Sequence, residues 1–187
     1  MIFVDRSSVA NPLDLNTELG QLAIEEKRKA EKYHNDGVLN QSRFPFQVYK
    51  AQKVANALER LFHSKCAYCE SELSSITRGN IEHYRPRYSV TDASDHPGYW
   101  WLASNWDNLL LACQLCGFSR YAKRDESSSA SINGKGNRFP LENESARAYL
   151  PGEEIAEEPL LIDPTRDDPE LHLIYGDDGA VFGRTER

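Results

Sequence analysis

Cys66-Ala-Tyr-Cys69, then Ile81-Glu82-His83-Tyr84-Arg85-Pro86-Arg87, then Cys113-Gln-Leu-Cys116: the order of these three short runs decides how the chain folds. The two knuckles use all four cysteines. Two residues between cysteines let both sulfurs of a knuckle face one ion, so two knuckles supply the four thiolates of a tetrahedral zinc site. A single CxxC could instead be a redox dithiol, but a matched pair favours zinc. Four thiolates leave no position for water or substrate, so this zinc is expected to be structural, holding the intervening segment in one compact unit.

Inside that unit lies a cluster suited to phosphodiester chemistry. A histidine in a short strand is more often packed or solvent-facing than catalytic, but the neighbours of His83 change that balance. Glu82 offers a hard oxygen ligand for Mg2+ or Mn2+. His83 offers a base that titrates near neutrality. Arg85 and Arg87, at alternate positions, can hold phosphate oxygens bidentately. For Arg85 a surface salt bridge is an equally good reading.

Working outward, the chain of 187 residues has the composition of a soluble globular protein, 40% hydrophobic and 27% charged. No stretch has membrane-spanning length and no N-terminal signal is evident, which makes the cytoplasm the expected compartment and favours thiolate ligation over disulfides. The net charge of -7 argues against bulk electrostatic binding of nucleic acid. Base is concentrated locally, at Arg78, Arg85 and Arg87, and again at Arg120, Lys123 and Arg124. Acid gathers in 142–170. A small basic site on an acidic body implies a local grip on nucleic acid or the help of a partner.

The pattern predicts a helix over 17–33, capped by Asn16 or Thr17, with Leu19, Leu22, Ala23 and Ala30 on its apolar side. A second helix over 46–63 follows Pro45, burying Ala51, Val54, Leu58, Leu61 and Phe62. Residues 64–88 read as a short β-hairpin made of the first knuckle, a turn at 74–79 and a strand over 81–84. Trp100, Trp101 and Trp106 with Leu102 and Leu109–Leu111 read as core rather than as a base-stacking surface. A short helix is expected from Cys116 to about Lys123, a polar loop over 125–137, and a terminal hairpin pairing 171–175 with 180–182 across Asp177-Asp178-Gly179. The segments are 1–63 helical, 64–141 zinc-stabilised and 142–187 acidic, giving an α+β fold.

As a set, Glu82-His83-Tyr84-Arg85-Pro86 between the knuckles, Tyr99-Trp100-Trp101-Leu102, Trp106-Asp107-Asn108-Leu109-Leu110, Arg138-Phe139-Pro140-Leu141 and Leu160-Leu161-Ile162-Asp163-Pro164 resemble the HNH endonuclease, or ββα-metal, family. The closest branch is that of bacterial anti-phage systems, the Septu and retron-associated HNH nucleases. The resemblance covers about residues 45–175. It implies a β-hairpin followed by a helix around one divalent cation, Mg2+ or Mn2+. It also implies His83 as general base, Glu82 as acidic ligand of that ion, and Asn108 as the residue orienting the histidine and its loop. Cys66, Cys69, Cys113 and Cys116 match the structural zinc ligands, while Arg85, Arg87, Arg120 and Lys123 are candidate nucleic-acid contacts. DNA is favoured over RNA. The implied partner is an SMC/ABC-like ATPase, with the N-terminal helices and 142–170 as docking surfaces.

One position departs from the family pattern. Asn or His usually follows the last cysteine and completes the metal site, with Lys three residues later; this chain has Gly117 and Arg120. Asn133, Asn137 or Asp125 could substitute, Glu82 and phosphate oxygens could hold the ion alone, or catalysis could be lost. The function expected first is therefore a metal-dependent nuclease. A degenerate zinc-stabilised scaffold or nucleic-acid sensor stands second, and a zinc-ribbon DNA-binding factor third.

Overall fold

The structure is a computed structural model that describes residues 1–36, 43–73, 79–122, 131–178 and 180–185. Its centre is an antiparallel strand pair, β1 (Asn80–His83) and β2 (Leu109–Ala112), in the register Asn80↔Ala112 through His83↔Leu109. Every residue of β2 is buried, as its unbroken Leu-Leu-Leu-Ala run demands. The 64–88 hairpin therefore forms differently from expectation: the strand pairs with β2, not with the first knuckle. Burying three leucines stabilises the molecule by about 1.5–3 kcal/mol each, which pulls β2 to the centre. The knuckle still touches it, because Ala67 N donates to the Leu111 carbonyl at 2.8 Å.

Helix α1 (Glu18–Asn35) is capped by Thr17, whose Oγ1 accepts from Gly20 N at 2.9 Å. Ala30 is buried and Leu19 and Ala23 pack against the core, but Leu22 is exposed, unlike the stripe expected for it. The second expected helix is divided. A 3-10 turn spans Val48–Lys50, Ala51 is extended, and α2 runs over Gln52–Leu61. Val54, Leu58, Leu61 and Phe62 are buried as predicted, with Ala57 beside them.

The three tryptophans are buried in two 3-10 turns, Trp100–Leu102 and Trp106–Asn108. After β2 a one-turn helix, α3 (Gln114–Gly117), carries Cys116 and ends as Phe118 turns extended. The helix expected over 116–123 gives way to β3 (Arg120–Ala122), which pairs with β4 (Ser131–Asn133). The terminal hairpin is β5 (Leu173–Tyr175) with β6 (Val181–Gly183); Gly179 of its turn lies outside the described residues, as do residues 74–78 of the expected turn, Lys123 at the end of the expected helix and residues 125–130 of the expected loop.

The segments read from the sequence are tied together. Arg6 donates to the carbonyls of Trp106 at 2.9 Å and Leu109 at 2.8 Å, bringing the N-terminal arm onto the start of β2. The acidic stretch is turned partly inward, because the Glu157 and Asp163 side chains are fully buried. The architecture is α+β, a small helical and sheet assembly around four clustered cysteines. Among the described residues, no helix is long and apolar enough to cross a membrane.

Candidate functional site

The four sulfurs of Cys66, Cys69, Cys113 and Cys116 lie within 4.8 Å of one another. Zinc–sulfur bonds of about 2.3 Å place tetrahedral sulfurs about 3.8 Å apart, and Cys69 and Cys113 stand at 3.8 Å. Cys113 N donates to Cys66 Sγ at 3.2 Å, an amide contact that favours the thiolate. The Cys116 thiol hydrogen bond, first among the causes, lowers the Cys66 thiol to about 4. Cys113 takes the N-cap position of α3 and Cys116 stands one turn on, so both sulfurs leave the same side of that turn. These residues can hold a metal ion such as zinc, which would bind them as thiolates and close the knuckles.

Beside that cluster, where Gly117 follows Cys116, the strand pair opens on a cleft of about 480 Å³. Glu82, His83, Pro86, Arg87, Gly117 and Phe118 line it, together with Arg43, Tyr49, Lys50, Tyr88 and Asn137. His83 is buried at 3% exposure. Its Nε2 lies 2.8 Å from the Ala103 carbonyl, which can only accept, so Nε2 carries the proton. Nδ1 is thus the lone-pair nitrogen, and Arg87 Nη1 donates to it at 2.8 Å. Burial first, then the Arg87 cation, lowers the imidazole to about 3, so it is neutral at physiological pH.

Asn108 holds this geometry. Its Oδ1 accepts from Arg85 N at 2.8 Å, and its Nδ2 donates to the carbonyls of Arg85 at 3.0 Å and Leu102 at 3.2 Å. The side chain thereby joins the end of β1 to the turn that presents Ala103 to His83. Arg85 faces the other way. Its Nε donates to Glu157 at 2.8 Å and its guanidinium sits over the rings of Tyr84, Tyr99 and Phe139, inside the protein and off the cleft. Arg87 does line the cleft, with its guanidinium 4.4 Å from the Tyr88 ring centroid. The backbone of Arg120 lies in β3, and Lys123 and Asp125 fall outside the described residues.

The sequence reading passed over Lys135. Its ammonium donates to Glu82 Oε1 at 3.1 Å, the His83 carbonyl at 2.8 Å and the Gly136 carbonyl at 3.2 Å. Burial raises Glu82 and lowers Lys135, while each partner pulls the other back. Two glycines deliver it. Gly134 and Gly136 have φ of 80° and 55°, and a Cβ there would strike the Phe118 carbonyl at 2.0 Å and Ser119 Oγ at 1.9 Å. Only glycine lets this turn press onto α3, where Lys135 N donates to the Cys116 carbonyl at 2.7 Å and Gly136 N to that of Gly117 at 2.9 Å. The signal was Gly134-Lys135-Gly136, one residue ahead of the Arg138-Phe139-Pro140-Leu141 landmark. Arg43 and Lys50 were also missed, having no motif around them.

A divalent ion beside Glu82 does not fit these residues. A Cβ at Gly117 would point at Glu82 Oε2 from 3.1 Å, so position 117 has the right place for a second ligand and no atoms to supply one. Of the oxygens that remain, Glu82 Oε1 and the His83 carbonyl already bind an ammonium, which leaves Glu82 Oε2 facing Gly117 as a lone donor, too few to hold a divalent ion. Asn137 lines the cleft, and its Nδ2 donates to Ser89 at 2.8 Å.

Fold and site define an α+β protein with a four-cysteine cluster and a cationic cleft beside it. The chain is similar to Septu protein PtuB of Bacillus mycoides (strain KBAB4), 39% identical over 186 residues that cover 97% of this chain and 57% of that protein. It is also similar to Septu protein PtuA of the same organism, 32% identical over 135 residues covering 70% of this chain and 17% of that protein. The chain thus spans little more than half the length of the first relative. No protein-family model matches it, and no solved structure does.

Proposed function

We propose that the chain is an HNH-type endonuclease acting within a Septu-like anti-phage defence system. Similarity to two proteins named as Septu components supports the setting. The observation that carries the chemistry is the His83 tautomer: Nε2–H is held by the Ala103 carbonyl and the Nδ1 lone pair is turned to Arg87 at the cleft.

In this reading a phosphodiester enters the cleft and draws Arg87 from Nδ1 onto its oxygens. Nδ1 then takes a proton from water as the water oxygen bonds to phosphorus, the bond to the leaving oxygen breaks, and that oxygen takes a proton from solvent. Arg43 and Lys50 on the cleft wall would track the strand, with DNA favoured over RNA. Mg2+ or Mn2+, expected from the family resemblance, lacks a ligand set here. Zinc in the four-cysteine cluster would keep β2 and α3 in register.

The test is incubation of the zinc-loaded protein, alone and with an SMC/ABC-like ATPase co-expressed from the same system, with DNA and RNA in the presence and absence of Mg2+ or Mn2+. Cleavage should disappear in His83→Ala. If wild type and His83→Ala behave alike, the nuclease reading fails. Co-elution of chain and ATPase at micromolar concentration is the expected result for the partner, and separate elution speaks against it.

A second reading, a zinc-stabilised scaffold or nucleic-acid sensor without catalysis, is favoured by one observation. Gly117 offers no donor beside a carboxylate that Lys135 already neutralises. It predicts nucleic-acid binding with no cleavage by any combination above.

A further inference from the structure

We propose that Lys135 is the resident cation of this centre, its ammonium standing where a divalent ion would bind and keeping the site closed to a second metal. The inference deepens the nuclease reading and rests on it for its catalytic meaning, but the ion-binding behaviour it describes is independent of cleavage.

An ammonium has three N–H groups and no acceptor, and Lys135 meets three oxygens, on Glu82, His83 and Gly136. An ion entering the same cage would have to displace all three hydrogen bonds and leave a buried lysine unpaired. The Lys135 side chain is 5% exposed, so little of its lost hydration would be regained. Residues 134–136 reach this place because Gly134 and Gly136 take left-handed conformations against residues 115–119 and because two main-chain bonds join them to Cys116 and Gly117. The lysine is held by the fold, not swung in on a loose loop.

Facing the cage are Glu82 on β1 and the cation Arg87 beyond His83; α3 contributes Gly117, which brings no charge and no ligand. Inside the cage one carboxylate stands against two fixed cations, a net positive charge that disfavours a dication. Since every N–H of Lys135 is used, it does not itself reach a bound phosphate. Lys135 is a positioning residue: it fixes the Glu82 carboxylate and the His83 carbonyl, and direct phosphate contact falls to Arg87.

Mn2+ titration followed by EPR on zinc-loaded protein tests this, with zinc content by elemental analysis as the check on folding. Wild type should hold one zinc per chain and take up no Mn2+ at millimolar concentration. Lys135→Met, which keeps bulk and removes charge, should gain one Mn2+ site per chain, lost again in the Glu82→Gln/Lys135→Met double variant. Lys135→Arg should remain closed. Mn2+ uptake by wild type that is abolished in zinc-loaded Glu82→Gln overturns the proposal even if no Lys135 variant folds. So does a zinc-loaded Lys135→Met that binds no Mn2+, since the lysine would not then be what closes the site. Neither result bears on His83→Ala cleavage, so failure here and failure of the nuclease reading are separable.

Discussion

Asn108 and Arg85 are joined twice through the Asn108 side chain, which accepts from Arg85 N at 2.8 Å and donates to the Arg85 carbonyl at 3.0 Å. An amide side chain thus imitates one rung of a β-ladder at the point where β1 ends. The same amide donates to Leu102, and the neighbouring Ala103 carbonyl fixes the His83 ring. Asn108→Ala removes the partners of a buried N–H and two buried carbonyls and should cost about 3 kcal/mol, at about 1 kcal/mol for each hydrogen bond. Urea unfolding measures the loss, and Asn108→Asp should recover less than half of it, because a carboxylate accepts but cannot donate.

The Arg85–Glu157 pair predicts a separation of stability from binding. Breaking a buried ion pair by removing one partner costs about 3–5 kcal/mol, whereas an apolar replacement of both partners is far milder. Both side chains are at most 6% exposed. Arg85→Ala and Glu157→Ala should each destabilise strongly in thermal melts, and Arg85→Met/Glu157→Gln, whose amide oxygen still accepts from Tyr99 Oη and Ala148 N, should retain most stability. A double variant as unstable as the two losses summed would contradict this account.

Binding should instead respond to the cleft rim. Arg43 and Lys50 are exposed, each cation resting beside an aromatic ring, Tyr88 at 5.2 Å and Tyr49 at 5.7 Å. Arg43→Ala and Lys50→Ala should leave melting nearly unchanged and weaken DNA binding. Each removed phosphate contact should reduce the salt-dependence slope by about 1. An unchanged slope in fluorescence anisotropy would move the nucleic acid off this face.

Removing the metal should be more drastic than any of these. Structural zinc contributes on the order of 10 kcal/mol to folding in small zinc modules, and here it would join the first knuckle to the end of β2. Cys66→Ser or Cys113→Ser should abolish zinc uptake and the cooperative melting transition together. A cysteine variant that melts like wild type would remove the structural role.

Acid should loosen the fold through imidazoles held neutral. Burial, first among the causes, lowers His96, whose Nε2–H is donated to the Ala148 carbonyl at 2.6 Å and whose Nδ1 accepts from Gly98 N at 3.0 Å. His83 is lowered likewise, to about 3. A folded-state value below the unfolded one means that the unfolded chain binds the proton more readily. Their contribution is therefore complete above the unfolded value of about 6.5 and is lost as pH falls through the acid side. Denaturant midpoints should decline from pH 7 to pH 5, and His96→Gln should show a shallower decline.

Much of this organisation is legible in the chain itself. CxxC spacing names its own ligand geometry, so the cysteine cluster follows from local sequence. Thr17 before an amphipathic run fixes where α1 begins, and an unbroken Leu109–Leu111 run declares a buried element. The three tryptophans read as core and are core. These features are short-range, decided by side-chain chemistry over a turn or a strand.

What only the tertiary structure decided is who meets whom across a long separation. Nothing local tells β1 to choose β2 over the nearer knuckle; burial of both faces of β2 does. Nothing in Tyr84-Arg85-Pro86-Arg87 tells which arginine turns inward, because the answer lies at Glu157. Lys135 becomes part of the site only when two left-handed glycines press its turn against α3 and bring its ammonium to Glu82. A strand side chain has two faces to choose from and a lysine four flexible bonds. The choice belongs to whichever distant partner the packed fold brings within hydrogen-bond reach.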